Sequence, residues 1–278
     1  MKPATAGGIL LAHRHDAVEA AAYRDMVAAA PPAVRSRLGL QAREVAGATL
    51  LVAPGLPVTI FNRVMGLGNP VPATGRDLEE ISRIYRDEGV RSWWVHATPG
   101  PNFDALCGLL AEGGFTLPAR KAWAKMWREA APPPAASTIA RLERAGPSDA
   151  NPVGEVLGTA FGMPPDGIAW FASLVGRPGW TTWLARLGGR VVGAGMLHLQ
   201  GDVGWLGAGG VHPDARRAHV HRALMAARVA EAHRHGCAHV ATETGEPAAD
   251  EPNPSLRNME ACGFRKLVTR LNFAAPAA

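Results

Sequence analysis

The chain is poor in cysteine, in tyrosine and in net charge, and it has no long apolar run. Its 278 residues include three cysteines, Cys107, Cys237 and Cys262, an odd number without the spacing of metal or redox pairs. That speaks against a secreted disulfide framework and for reduced thiols in a cytoplasmic protein. There are two tyrosines, Tyr23 and Tyr85, both in the first half. The net charge of +5 is small, and no Lys/Arg-rich stripe interleaved with aromatics appears, so a nucleic-acid partner is not expected. A preference for small anionic ligands fits this balance. No apolar stretch approaches the roughly 20 residues that span a bilayer, and Gly7–Ala12 is too short for the core of a signal peptide. No membrane association is expected either.

What is present is enough apolar sequence, 47% of residues, for two ordinary domains each with its own core. Ala130–Ser137 (AAPPPAAS) is the clearest linker, because consecutive prolines favour an extended, stiff spacer. It divides the chain into 1–130, a linker at 131–137, and 138–278. In the first part, helical patterning covers Asp16–Ala30. Strand patterning covers Glu44–Ala53 and Val58–Val64, and a helix follows Thr74 and ends near Gly89. A strand at Ser92–Ala97, a helix at Asn102–Glu112 and a strand at Ala122–Trp127 complete it.

The second part opens with a strand at Thr138–Arg144 and two helices, the first capped at Ser148. Strands at Trp180–Leu187 and Val191–Leu199 are joined by the hairpin signal Gly188-Gly189. After a glycine-rich strand and a helix come the strand Ala238–Thr244, an acidic loop at Gly245–Pro254, a helix from Ser255, and a last strand at Leu267–Phe273. Tyr85–Trp127 and Ala230–Phe273 run through the same order of helix, glycine, strand, loop, helix, Gly-Phe and strand. Two copies of one α/β unit account for this.

The most informative stretch is Gly204–Ala227, GWLGAGGVHPDARRAHVHRALMAA, which reads as strand, basic turn and helix. The first amides of a helix lack internal partners and sit at the positive end of its dipole, so such a turn suits a phosphate. Arg216, Arg217 and Arg222 add positive charge. An ordinary strand-to-helix connection with a solvated basic turn accounts for the same residues.

Val211-His212-Pro213, Arg216, the Arg222-Ala223-Leu224 helix start and SLRNMEACGF before the last strand together resemble the GNAT superfamily of acyl-CoA-dependent N-acyltransferases, over Thr138–Phe273. The resemblance implies an α/β fold of two tandem GNAT-like domains, each a mixed, splayed sheet flanked by helices, the first a degenerate copy. It implies acetyl-CoA as acyl donor and a small-molecule amine or peptide as acceptor; no metal is expected. The coenzyme would be held by Gly209, Gly210, Val211, Arg216, Arg217, Ala218, His219, Val220, His221 and Arg222, with Asn253, Ser255 and Asn258 beside its arm. The family's two small loop residues are here His219 and His221, which crowd a phosphate or, when protonated, donate to it. A tyrosine that many relatives carry in the last helix is here Met259.

For the base that deprotonates the amine, Glu243, Glu246 and His198 are the candidates, each with a structural alternative: a strand-end surface residue for Glu243, a buried hydrogen-bonded one for His198. His219 and His221 at one end of their helix and His233 and His235 at the other stand about 20 Å apart, too far to share one ion. Trp93, Trp94, Trp123 and Trp127 are expected in packing. The rival reading is a GNAT-fold protein that has lost coenzyme binding and holds another ligand or partner. The sequence leaves an oligomer open.

Overall fold

A computed structural model describes residues 6–118, 122–246 and 252–276; of the acidic loop, residues 247–251 lie outside the described residues. The described residues begin with α1 (Ala6–Ala29), which starts ten residues before the helix expected from periodicity. Pro31 and Pro32 end it, and Pro32 opens α2 (Pro32–Leu38), since proline lacks the N–H that the first turn leaves unpaired. The strand expected at Glu44–Ala53 is a hairpin, β1 (Gln41–Val45) and β2 (Ala48–Val52). Ala46 and Gly47 between them have φ of 50° and 75°, the left-handed pair a two-residue hairpin turn requires. The expected strand at Val58–Val64 is a 3₁₀ turn at Thr59–Phe61 followed by β3 (Arg63–Met65).

Then come α3 (Gly75–Asp87), capped reciprocally by Thr74 and Asp77, β4 (Trp94–Ala97), α4 (Phe103–Glu112) and β5 (Ala122–Glu129). The second part supplies β6 (Arg141–Arg144), α5 (Ala150–Phe161), α6 (Pro165–Ala172), β7 (Trp180–Leu187), β8 (Arg190–Gln200) and β9 (Val203–Val211). It ends with α7 (Val220–Arg234), β10 (His239–Gly245), α8 (Pro254–Ala261) and β11 (Arg265–Ala274). Ser148 caps no helix: it lies in a 3₁₀ turn, Pro147–Asp149, before α5. The cap of α8 is Asn253, whose Oδ1 accepts the Leu256 N–H, and not Ser255. Among the described residues no helix is long and apolar enough to cross a membrane.

The repeat holds in backbone detail. After α3 the Val90 N–H bonds to the Tyr85 carbonyl at 2.9 Å, and after α7 Cys237 bonds to Ala232 at 3.1 Å. After α4 and α8 the matching bonds run from Phe115 to Leu110 at 2.9 Å and from Phe264 to Met259 at 3.0 Å.

The repeats do not form separate sheets. A single sheet of 11 strands runs in the order β1-β2-β3-β4-β11-β5-β10-β9-β8-β7-β6, so each repeat lends its last strand to the other. β11 pairs with β4, β5 pairs with β10, and the two exchanged strands pair antiparallel at the centre. The proline segment connects β5 to β6, five strand positions or about 24 Å away. A stiff extended spacer suits that reach. One core joins α1 side chains Tyr23 and Met26 with Phe61 of the first repeat and Val156, Trp170 and Trp205 of the second.

Candidate active site

In the second repeat β9 and β10 are parallel neighbours for three residue pairs, the last being Ala241 with Trp205, and then part. Thr242 Oγ1 still donates to the Leu206 carbonyl at 3.1 Å. Beyond that link the fork opens into a cavity of about 270 Å³ between Leu206–Gly209 and Thr242–Thr244. His221 and Arg228 of α7 and Ser255 and Met259 of α8 line it, and so do Tyr23, Phe61 and Trp123 of the first repeat.

Glu243 faces this fork and stands at the margin of a buried ionic cluster assembled from both repeats. Arg270 of β11 reaches it at 2.6 Å, Lys125 of β5 at 3.2 Å and Arg63 of β3 at 3.3 Å. The same three cations meet Glu19 of α1, and Asp16 pairs with Lys125 at 2.9 Å and Arg270 at 3.2 Å. Three carboxylates thus balance three cations. Glu19, ringed by Arg270, Lys125 and Arg63, stays ionised well below the usual carboxylate range despite complete burial. Glu243 goes the other way: burial raises its pKa, and the neighbouring Glu19 raises it further. It is therefore the member of the cluster that takes up a proton, and it does so beside the cavity.

Tyr23 is the hydroxyl that the last helix lacks. It crosses from the first repeat, its ring under the Arg63 guanidinium at 4.3 Å, and its O–H makes no hydrogen bond among the described residues. Burial raises its pKa, so it holds its proton and is a donor. Tyr85 has no such role: it stacks on Trp93 at 4.2 Å and donates to the Leu51 carbonyl.

The basic turn before α7 keeps left-handed backbone at Arg217 and His219, with φ of 71° and 55°. His219 is exposed. His221 turns inward. Its Nδ1 lies 3.2 Å from the Asn258 amide nitrogen, which donates to it, and burial beside Arg228 lowers its pKa to about 4. It is neutral at neutral pH and brings no charge to an anion, which removes the protonated-donor role for this residue. Arg216 and Arg217 are exposed, Val220 is buried, and the Ala218 carbonyl accepts from Thr138 at 2.8 Å. Arg222 lies half-buried at the start of α7.

Several expected residues lie elsewhere. His198 does not line the cavity; it packs on Trp180 at 4.8 Å between ring centroids. Glu246 is outside it too, bonded to Lys266 at 2.9 Å and Thr269 at 2.7 Å. Gly210 packs on α5, where a Cβ would stand 2.5 Å from Ala160, and Val211 lies in the packing at the edge of the small core of Val220 and Leu224. Asn253 spends its amide on Thr244 and Gly245, fixing the loop. Trp123, expected in packing, is in the cavity wall, while Trp93 is buried in the first repeat's core. Among the described residues no group of His, Cys, Asp and Glu could hold a metal.

Sequence reading missed Tyr23 and Arg228. Tyr23 shares a helical face with Asp16 and Glu19, and Arg228 falls four residues after Leu224 on the buried face of α7. A charge on an otherwise apolar stripe was the available signal.

A mixed sheet forked between two parallel strands, with a helix-opening basic turn beside the fork, has the architecture of an acyltransferase domain. Residues 153–264 match the model of the acetyltransferase (GNAT) family, and this segment is a GNAT domain. The fold is similar to that of a GCN5-related N-acetyltransferase from Kribbella flavida, with TM-score 0.60 and 16% identity over 87% of this chain and 93% of that one. One from Sphaerobacter thermophilus gives TM-score 0.60 and 16% identity over 88% and 85%. A tandem GNAT protein from the clavulanic acid biosynthesis pathway gives TM-score 0.59 and 18% identity over 83% and 79%. No curated protein sequence matches the chain.

Proposed function

We propose that this tandem GNAT protein transfers an acyl group, acetyl in the simplest case, from a coenzyme A thioester to the amine of a small molecule or peptide, with the forked cavity as the site. The observation that carries the reading is the convergence of Glu243 and Tyr23, from different repeats, on the open fork. Glu243 accepts the proton that the attacking amine sheds. Its raised pKa makes it a stronger base than an ordinary carboxylate. The Tyr23 O–H donates towards the departing sulfur. Amides of β9 around Gly209 polarise the carbonyl, and the amides that open α7 hold phosphate with Arg216 and Arg217.

The turn accommodates His219 because its side chain faces solvent while its backbone takes a left-handed φ of 55°, a conformation glycine adopts without strain. His221, in the cavity wall at the start of α7, narrows the approach. The first repeat, whose turn after β3 lacks the basic residues, shapes the acceptor side through Phe61 and Trp123.

Calorimetry with acetyl-CoA tests the reading. Binding at millimolar coenzyme or below is expected; no heat and no thermal shift would sink the transferase and leave a non-catalytic GNAT-fold protein. In a screen of amines, Glu243→Gln is expected to keep coenzyme affinity and lose about 10²–10⁴ in turnover.

A further inference from the structure

Among the described residues Arg228 is a fully buried cation with no carboxylate beside it. It is 2% exposed, yet no carboxylate counts among the charges acting on it, whereas Arg63, Lys125 and Arg270 are each surrounded by carboxylates. Its Nε donates to the Leu224 carbonyl at 3.1 Å, and its Nη1 to the carbonyls of Met196 at 3.1 Å and Gly207 at 3.3 Å. Those bonds close a bulge, since the β8–β9 ladder slips between Gly195 and Leu197. The two N–H groups of Nη2 meet no acceptor among the described residues, and the side chain lines the cavity.

The backbone around the guanidinium is shaped to admit it. Gly195 and Gly209 face each other across β8 and β9. A Cβ at Gly195 would lie 2.7 Å from Cζ, and one at Gly209 3.1 Å from Nη2. Two opposed glycines therefore leave the space this side chain fills. A purely structural bulge clamp does not need a positive charge, and burying one without a counterion is costly. Burial lowers the pKa of Arg228 to about 10, which still leaves it charged at neutral pH.

We propose that Nη2 of Arg228 is a carboxylate-binding group in the cavity wall, and that one of the two molecules meeting there, acyl donor or amine, carries a free carboxylate. The second clause rests on the acyl-transfer reading; the first does not. A carboxylate matches the single charge and the two free N–H groups of Nη2. With a carboxylate in place, the guanidinium is both paired and fully hydrogen-bonded.

The test uses succinate and its uncharged analogue succinamide with the full chain, read by calorimetry and thermal shift. Succinate is expected to bind and succinamide not to. Arg228→Gln should weaken succinate at least tenfold while Arg228→Lys keeps part of the affinity. Equal binding of the two probes, or equal binding of succinate to wild type and Arg228→Gln, would overturn the proposal.

Should Arg228→Gln fail to fold for want of its bulge bonds, the wild type still decides. Succinate, and not succinamide, should slow phenylglyoxal modification of Arg228 mapped by mass spectrometry; no protection overturns the proposal. To find the source, succinyl-CoA is compared with acetyl-CoA, and α-amino acids with their decarboxylated amines. A preference abolished in Arg228→Gln and only weakened in Arg228→Lys places the carboxylate on donor or acceptor, and no preference in either arm overturns the second clause. Acetyl-CoA binding without succinate binding sinks this inference alone; succinate binding without acetyl-CoA binding sinks the transferase and keeps the carboxylate site.

Discussion

Replacing Lys125 by Met removes one charge from the ionic cluster while nearly preserving side-chain length. Three carboxylates and three cations balance in the native protein; the variant leaves three carboxylates against two cations, all of them buried except Glu243, which borders the cavity. Lys125 touches Asp16, Glu19 and Glu243, so each carboxylate loses a partner. Breaking a buried pair on one side costs about 3–5 kcal/mol. For a chain of this size that corresponds to a fall in Tm of roughly 6–20 °C, taking about 2–4 °C per kcal/mol.

The loss should shrink at pH 5.5 relative to pH 8, because the unbalanced cluster recovers neutrality when Glu243, already raised by burial, takes up a proton. Adding Glu243→Gln restores two against two, and the double variant should recover at least about 1.5 kcal/mol over the sum of the single changes. Urea unfolding followed by tryptophan fluorescence at both pH values measures all three variants. A loss under about 1 kcal/mol for Lys125→Met, or strict additivity in the double variant, would refute the cluster as a coupled unit.

Other consequences follow from the same geometry. His219→Gly relieves a left-handed residue and should raise stability by about 0.5–1 kcal/mol in urea titration, since the αL penalty outweighs the added chain entropy; a loss would show that the side chain makes a contact of value. His221→Ala, which clears the cavity edge, should tighten coenzyme binding or leave it unchanged in calorimetry, and a large loss would make the imidazole itself a ligand. Tyr23→Phe should keep coenzyme affinity and lower turnover about tenfold by removing a donor; unchanged turnover would take Tyr23 out of the chemistry. For Asp16 and Glu19, whose pKa values are lowered on folding, stability is present above the ordinary carboxylate range and lost as pH falls below it. Acid titration by circular dichroism should show unfolding beginning below about pH 4.5, and a flat profile to pH 2 would contradict the lowered values.

Local signals carried well where the chain punctuates itself. Thr74 with Asp77 imposes a cap through side chains and Gly188-Gly189, Gly236 and Gly263 each impose a turn through left-handed backbone, and the elements they bound appear where periodicity puts them. They carried less well at Glu44–Ala53, where Ala46 took a left-handed conformation that Ala rarely adopts and split one strand into two. In the site, Glu243 and the turn through His221 were legible because strand ends and helix starts are local features. His198 and Glu246 were not separable from Glu243 on the same grounds, since which residues face the fork depends on where β9 and β10 part.

The sequence alone determined the repeat, the basic turn and the GNAT character of the second half, because each is written within a few dozen contiguous residues. Only the tertiary structure decided that the repeats exchange their last strands and that Asp16, Glu19, Arg63, Lys125, Glu243 and Arg270 meet in one cluster. It alone brought Tyr23 to a cavity that the second half lines without a tyrosine, and left Arg228 without an anion. Strand pairing is a non-local choice: the edges of β4, β5, β10 and β11 offer similar backbone partners, and the buried side chains of the whole core select among them.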